Sequence, residues 1–185
     1  MKAVALLLLW LAVPGFARAD EALWKLLAKG GQVLMIRHGL TTPGVGDPPG
    51  FRLEDCSTQR NLSEEGRAEA RKLGAALKAR GVAVGEVLAS PWCRCVETAR
   101  LAFGRSTRWD ALSNVFGRPE NIEAQLKALR PRVAAHRGRE NLVLVTHGST
   151  THALTGVSPA TGEIVVLTPG GKEGFRVAGR MIAWN

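Results

Sequence analysis

Three short apolar runs, each stopping on polar residues that seldom end a buried strand, constrain this chain more than anything else in it. "QVLMI" leads into Arg37, His38 and Gly39, "GEVLA" into Ser90 and Pro91, and "NLVLV" into Thr146, His147 and Gly148. Uninterrupted apolar runs of strand length are the mark of strands covered on both faces, as in a parallel sheet. A chain with three of them must build layers around that sheet.

The intervening segments supply the layers. "DEALWKLLAKGG" sets Leu23, Leu26 and Leu27 on one side of a short helix that stops at Gly30. "NLSEEGRAEARKLGAALKARG" predicts a helix with Ser63 as N-cap, acids in its first turn, an apolar face at Leu73, Ala76 and Leu77, and Gly81 as its stop. "SPWCRCVETARLAFG" reads as a helix capped by Ser90, with Pro91 at its first position. "RPENIEAQLKALRPRVAAHRG" reads as a helix broken or restarted at Pro131, and Ser149 as the cap of a last helix. A small strand fits within "STRWDALSNVFG", and "EIVVLTPGGKEGFRVAGRMIAW" predicts a β-hairpin turning at Gly170 and Gly171. Residues 37–62, with "TTPGVGDPPG", read as a long surface loop, of a length that is usually functional or disordered. Strands alternating with helices give an α/β domain: a mostly parallel sheet flanked by helices, with a C-terminal antiparallel hairpin at its edge. Ligands of such sheets sit beyond the carboxyl ends of the strands, where the three polar stops meet.

Residues 1–19 read differently. Lys2, an apolar run from Ala3 to Val13, Pro14, Gly15 and the Ala17-Arg18-Ala19 ending predict a secretory signal peptide cleaved near Ala19. The run is shorter than the ~20 residues of a spanning helix, so the expected product, residues 20–185, is a single exported domain, periplasmic or secreted, with no stable membrane anchor after cleavage. Cleavage removes Lys2 and Arg18 from a chain of net charge +9 and leaves a basic protein suited to anionic partners. Tyrosine is absent and no basic run is interleaved with aromatics, which argues against nucleic acid. In an oxidising compartment, three cysteines predict one disulfide, from Cys56 to Cys93 or Cys95, and one free thiol. The four histidines are not at metal-ligand spacing with these cysteines, so no metal is expected.

Two histidines and two arginines brought to one crest of a sheet suit phosphoryl transfer through a covalent histidine intermediate. Neutral imidazole is a competent nucleophile, and neighbouring arginines bind the anion while keeping the imidazole deprotonated. Guanidinium forks match phosphate oxygens and never lose their charge. Helix N-terminal N–H groups near Ser90 or Ser149 add further donors.

The motifs "LMIRHG", "LSEEGRAEA", "LASPWCRCVETA" and "LVLVTHG", in this order over residues 32–168, resemble the histidine phosphatase superfamily in the branch related to phosphoglycerate mutase. The leader and the short cysteine-containing form look more like small periplasmic histidine phosphatases than like cytoplasmic mutases. The resemblance implies a three-layer phosphoglycerate mutase-like fold and a metal-independent phosphoric monoester hydrolase needing no cofactor. It makes His38 the phosphorylated nucleophile, with Arg37, Arg94 and His147 completing the phosphate pocket. Arg60 and Ser149 become substrate contacts, and Gly39 and Gly148 allow the backbone close to the phosphate. A bridge between Cys56 and Cys93 would pin the long loop against the arginine helix.

One part of the pattern is missing. Many relatives carry a glutamate acid in the segment that here reads "WDALSNVFG", with Ser113 and Asn114 in its place, leaving Asp110 and Glu163 as candidate acids. Without an acid, aryl or acyl phosphates and phosphohistidine would be favoured over alkyl phosphates, which need a protonated leaving group. The expected substrate is thus a phosphorylated small molecule or envelope component. The alternatives are a catalytically weak phosphate-binding homologue and a phosphatase of phosphorylated envelope glycans.

Overall fold

The computed structural model describes residues 15–171 and 174–184, so most of the expected leader, residues 1–14, lies outside the described residues. Four strands, β1 (Val33–Arg37), β2 (Val84–Ala89), β3 (Thr107–Arg108) and β4 (Asn141–Thr146), run parallel, and β5 (Ile164–Pro169) and β6 (Phe175–Met181) complete a six-stranded sheet. The order is β3-β2-β4-β1-β5-β6, with β5 antiparallel to both β1 and β6. The apolar runs are the sheet's centre: Val33, Leu34, Met35 and Ile36 of β1 are fully buried, as are Val143, Leu144 and Val145 of β4.

Strand alternation divides these side chains between two cores. Leu34, Ile36, Val143 and Val145 pack on α1 (Gly15–Lys29), α2 (Glu64–Ala79) and α3 (Cys93–Phe103). Met35, Leu142 and Leu144 face the opposite way, onto α4 (Ile122–Ala134) and α5 (Gly148–Thr155), through Leu129, Val133 and Leu154. The result is the expected three layers, with the antiparallel hairpin β5–β6 at one edge.

Four local expectations differ from what is found. Ser90 does not cap α3: the helix begins at Cys93, its N-cap Trp92 makes no side-chain capping bond, and the Ser90 hydroxyl lies 2.8 Å from the His147 ring. Ser149 is likewise inside α5, whose N-cap is His147. Pro131 does not break α4, which continues to Ala134. Leu129 and Val133, four residues apart and both fully buried, hold the helix on the sheet across the proline, and the orphaned carbonyl belongs to exposed Lys127. α1 also starts earlier than "DEALWKLLAKGG" suggested, at Gly15.

Candidate active site

The carboxyl ends of β1, β2 and β4 are stitched side by side. Arg37 is in register with Thr146, the His38 N–H donates to the Thr146 carbonyl at 3.0 Å, and the Ser90 N–H donates to the Val145 carbonyl at 2.9 Å. This register sets the His38 and His147 rings edge to face, with centroids 5.4 Å apart, at the floor of a cavity of about 490 Å³. Arg37, Arg60, Arg94, Gly148 and Ser149 join them in its lining, so six of the residues singled out in the sequence converge there with Ser149.

His38 is 4% exposed, and its Nδ1 lies 2.9 Å from the Gly39 carbonyl. A carbonyl only accepts, so Nδ1 carries the proton and Nε2 holds the lone pair. Burial first, then the charges of Arg94, Arg37 and Arg60, push the pKa down to about 3 against the Gly39 hydrogen bond. His147 is also kept neutral, well below the ordinary imidazole range, by burial and then by His38 and the same arginines. Arg94 Nη2 donates to its Nδ1 at 3.5 Å, so Nε2–H faces the Ser90 hydroxyl. Cys95 stands beneath, its sulfur 3.5 Å from that nitrogen, as a buried thiol pushed up to about 12. Burial is the cause, and the thiol is protonated at neutral pH.

The long loop contributes a residue that sequence reasoning missed. Asp47 meets Arg94 with both oxygens, at 2.7 and 3.2 Å, and also accepts from the Trp92 indole at 2.9 Å and the Arg60 N–H at 3.1 Å. The two paired side chains are 4% and 1% exposed. Burial alone would raise the Asp47 pKa, but the Arg94 hydrogen bond and charge outweigh it and hold the carboxylate below its ordinary range. No local pattern in "GVGDPPG" marks this aspartate. With Asp47, the Arg60 carbonyl and His147 as partners, the Nη groups of Arg94 are occupied, and its Nε–H is left free.

Arg37 and Arg60 share that condition. Arg37 Nη1 donates to the Pro159 carbonyl at 2.9 Å and Arg60 Nη1 to the Gly44 carbonyl at 2.6 Å, while the Nε–H of each is buried without a partner. Burial and the charge of Arg94 lower both guanidinium pKa values. Three mutually repelling arginines line one cavity, each with a buried Nε–H that lacks a partner, and native proteins seldom leave such donors unmet. A cavity lined by three such cations suits an anion.

Of the other expected residues, most lie elsewhere. Gly39 does not line the cavity; a Cβ there would stand 2.8 Å from the Gly66 carbonyl, so its missing side chain serves the approach of the His38–Leu40 backbone to α2. Gly148 does line it, 3.4 Å from the Arg37 guanidinium at the same notional atom. Asp110 is exposed in a short 3-10 turn outside the cavity. Glu163 is buried against Arg180 and accepts the Ala160 N–H at 2.7 Å, which fixes the loop presenting Pro159 to Arg37. Neither carboxylate reaches the cavity. Asn114 does, accepting the Ser149 hydroxyl at 2.8 Å. Cys56 and Cys93 form a disulfide, and Cys95 is free. Among the described residues no three metal-ligating side chains of His, Cys, Asp or Glu converge.

Residues 33–115 match the histidine phosphatase superfamily, branch 1. That segment, somewhat under half of the chain, carries Arg37, His38, Arg60 and Arg94, and the sheet built around it has the phosphoglycerate mutase-like fold. Among solved structures, it is similar to the protein histidine phosphatase SixA complexed with tungstate, at 17% identity and a TM-score of 0.58 over 82% of this chain and 97% of that one. It is similar also to a phosphoserine phosphatase from Entamoeba histolytica (11%, TM-score 0.61, 82% and 97%). A mycobacterial glucosyl-3-phosphoglycerate phosphatase follows at 18%, TM-score 0.54, over 79% and 96%. At these identities the likeness is one of fold. No curated protein matches the sequence.

Proposed function

We propose that the protein is a phosphatase that hydrolyses phosphate monoesters through a phosphohistidine at His38. The observation that carries this reading is the neutral His38, its Nε2 lone pair free, in a cavity where three arginine Nε–H donors lack an acceptor. The phosphoryl group of the substrate fills that gap. Nε2 attacks phosphorus in line with the leaving oxygen, the P–N bond forms as the P–O bond breaks, and water then displaces phosphate from the imidazole. Charge on the transferring group is met by Arg37, Arg60 and Arg94 and by the amide N–H groups at the start of α5, which are already in place before reaction. His147, seated against Ser90 and Arg94, positions that guanidinium and stands beside the phosphoryl site.

The tungstate complex of the SixA structure fits the same reading, since tungstate is a tetrahedral oxyanion like phosphate. The leader read from residues 1–19 supports export, with the mature chain starting at Asp20, which N-terminal sequencing of the secreted or periplasmic protein checks. The activity test is incubation with 4-nitrophenyl phosphate in the presence of a chelator. Turnover, with acid-labile and base-stable phosphate on the protein that His38→Ala abolishes, is the expected result. Binding of phosphate with neither turnover nor phosphoprotein would instead make the chain a phosphate-binding homologue without activity, the reading favoured by the lack of a carboxylate among the described residues that line the cavity.

A further inference from the structure

Among the described residues, proton supply to the leaving group has no carboxylate to perform it. Among the described residues that line the cavity there is neither aspartate nor glutamate, because Asp47 is engaged by Arg94, Glu163 by Arg180, and Asp110 lies outside. Asn114 is an amide and not an acid. His38 is the nucleophile, and His147 is held between Ser90 and Arg94.

A third imidazole lines the same cavity and has no role in the steps above. His152 lies four residues after Gly148 and three after Ser149 on α5, so the three share one helix face. Long side chains on a helix lean toward its N-terminus, which for α5 is the sheet crest carrying His38. One nitrogen of the ring is anchored: Nδ1 lies 3.2 Å from the Ser158 hydroxyl. Ser158 precedes Pro159, whose carbonyl receives Arg37, so His152 and the phosphate-side arginine are tied to one short wall. The ring is also exposed, unlike His38 and His147, so it can exchange protons with solvent between turnovers.

We infer that His152 is the general acid and base of the reaction, an inference that rests on the phosphatase reading of this site. As His38 Nε2 bonds to phosphorus, the P–O bond to the leaving group breaks, and the His152 imidazolium gives its Nε2 proton to the departing oxygen. In the second half, neutral His152 takes a proton from the attacking water, the P–N bond breaks with its electron pair returning to His38, and phosphate leaves. Imidazole is the side chain suited to both directions near neutral pH. The substrate class widens accordingly: alkyl phosphates, whose alkoxide leaves poorly without a proton, become substrates beside aryl ones.

The test compares His152→Gln with the wild type on 4-nitrophenyl phosphate, whose leaving group needs little protonation, and on glycerol phosphate, whose leaving group needs it. The expected result is wild-type turnover of both and, in the variant, a loss on glycerol phosphate greater by about 10²-fold or more than the loss on the aryl ester. Equal losses on the two esters, no loss on glycerol phosphate, or a wild type that turns over only the aryl ester would each overturn the assignment while leaving the phosphohistidine reading intact. A wild type that forms no phosphohistidine from the aryl ester overturns that reading, and this assignment with it. The aryl ester also reports folding, since a collapsed variant loses both activities together.

Discussion

At the scale of single residues, the geometry turns on Asp47. Its carboxylate takes the fork of Arg94, the part of an arginine that would otherwise embrace a phosphate, so this guanidinium serves the site by its charge and its free Nε–H. Removing one member of a buried ion pair strands the other, at a cost of about 3–5 kcal/mol. Asp47→Ala is therefore expected to lower stability by that order, and orthophosphate, which gives Arg94 a new partner, should recover more stability in the variant than in the wild type. Thermal unfolding with and without phosphate measures both. Equal phosphate stabilisation in the two proteins would show that Asp47 does not compete for the phosphate-binding arginine.

Among the elements, the long loop and α3 form one unit. The Cys56–Cys93 bridge closes 37 residues, Gln59 accepts the Cys93 N–H at 3.0 Å, and Asp47 and Arg60 lie on the same loop. Closing a loop of that length stabilises by about 4 kcal/mol in the chain-entropy account. In Cys56→Ser, or after reduction, the melting temperature is expected to fall by roughly 10 °C. KM should rise more than kcat falls, because the loop segment beside the bridge carries Arg60 and Asp47 while His38 and His147 directly follow strands β1 and β4. Calorimetry and steady-state kinetics under oxidising and reducing conditions check the two effects separately. Much of this level was legible beforehand: the runs ending at Ile36, Ala89 and Val145 announced the parallel strands, and Ser63 caps α2 as read, accepting the Gly66 N–H. The serines at the crest misled because Ser90 and Ser149 have the right chemistry for caps, yet the first is drawn to His147 and the second to Asn114.

For the molecule as a whole, two neutral histidines buried among arginines tie stability to pH. The His38 pKa falls from 6.5 in the unfolded chain to about 3 when folded, and His147 shifts in the same direction. Between those values the unfolded state binds protons that the folded state refuses, so folding stability drops as pH falls from about 6.5 towards 3. Asp47 adds to this at the acid end: its depressed pKa gives stability that is complete above the ordinary carboxylate range and is lost as pH falls through the folded value. Urea unfolding of wild type and His38→Asn across this range is expected to show a shallower pH dependence in the variant. An identical dependence would mean that His38 is not held neutral.

By itself the sequence determined the layers, the parallel order implied by buried runs, and the identity of the groups delivered to the crest, since periodicity and strand ends are local properties written in neighbouring residues. Tertiary structure alone decided which acid meets which base. Asp47 and Arg94 are separated by 47 residues, Glu163 and Arg180 belong to a loop and an edge strand, and His152 reaches the cavity only because α5 packs beside the crest. Such pairings depend on how the layers close, and a helix or strand pattern carries no record of what will lie opposite it.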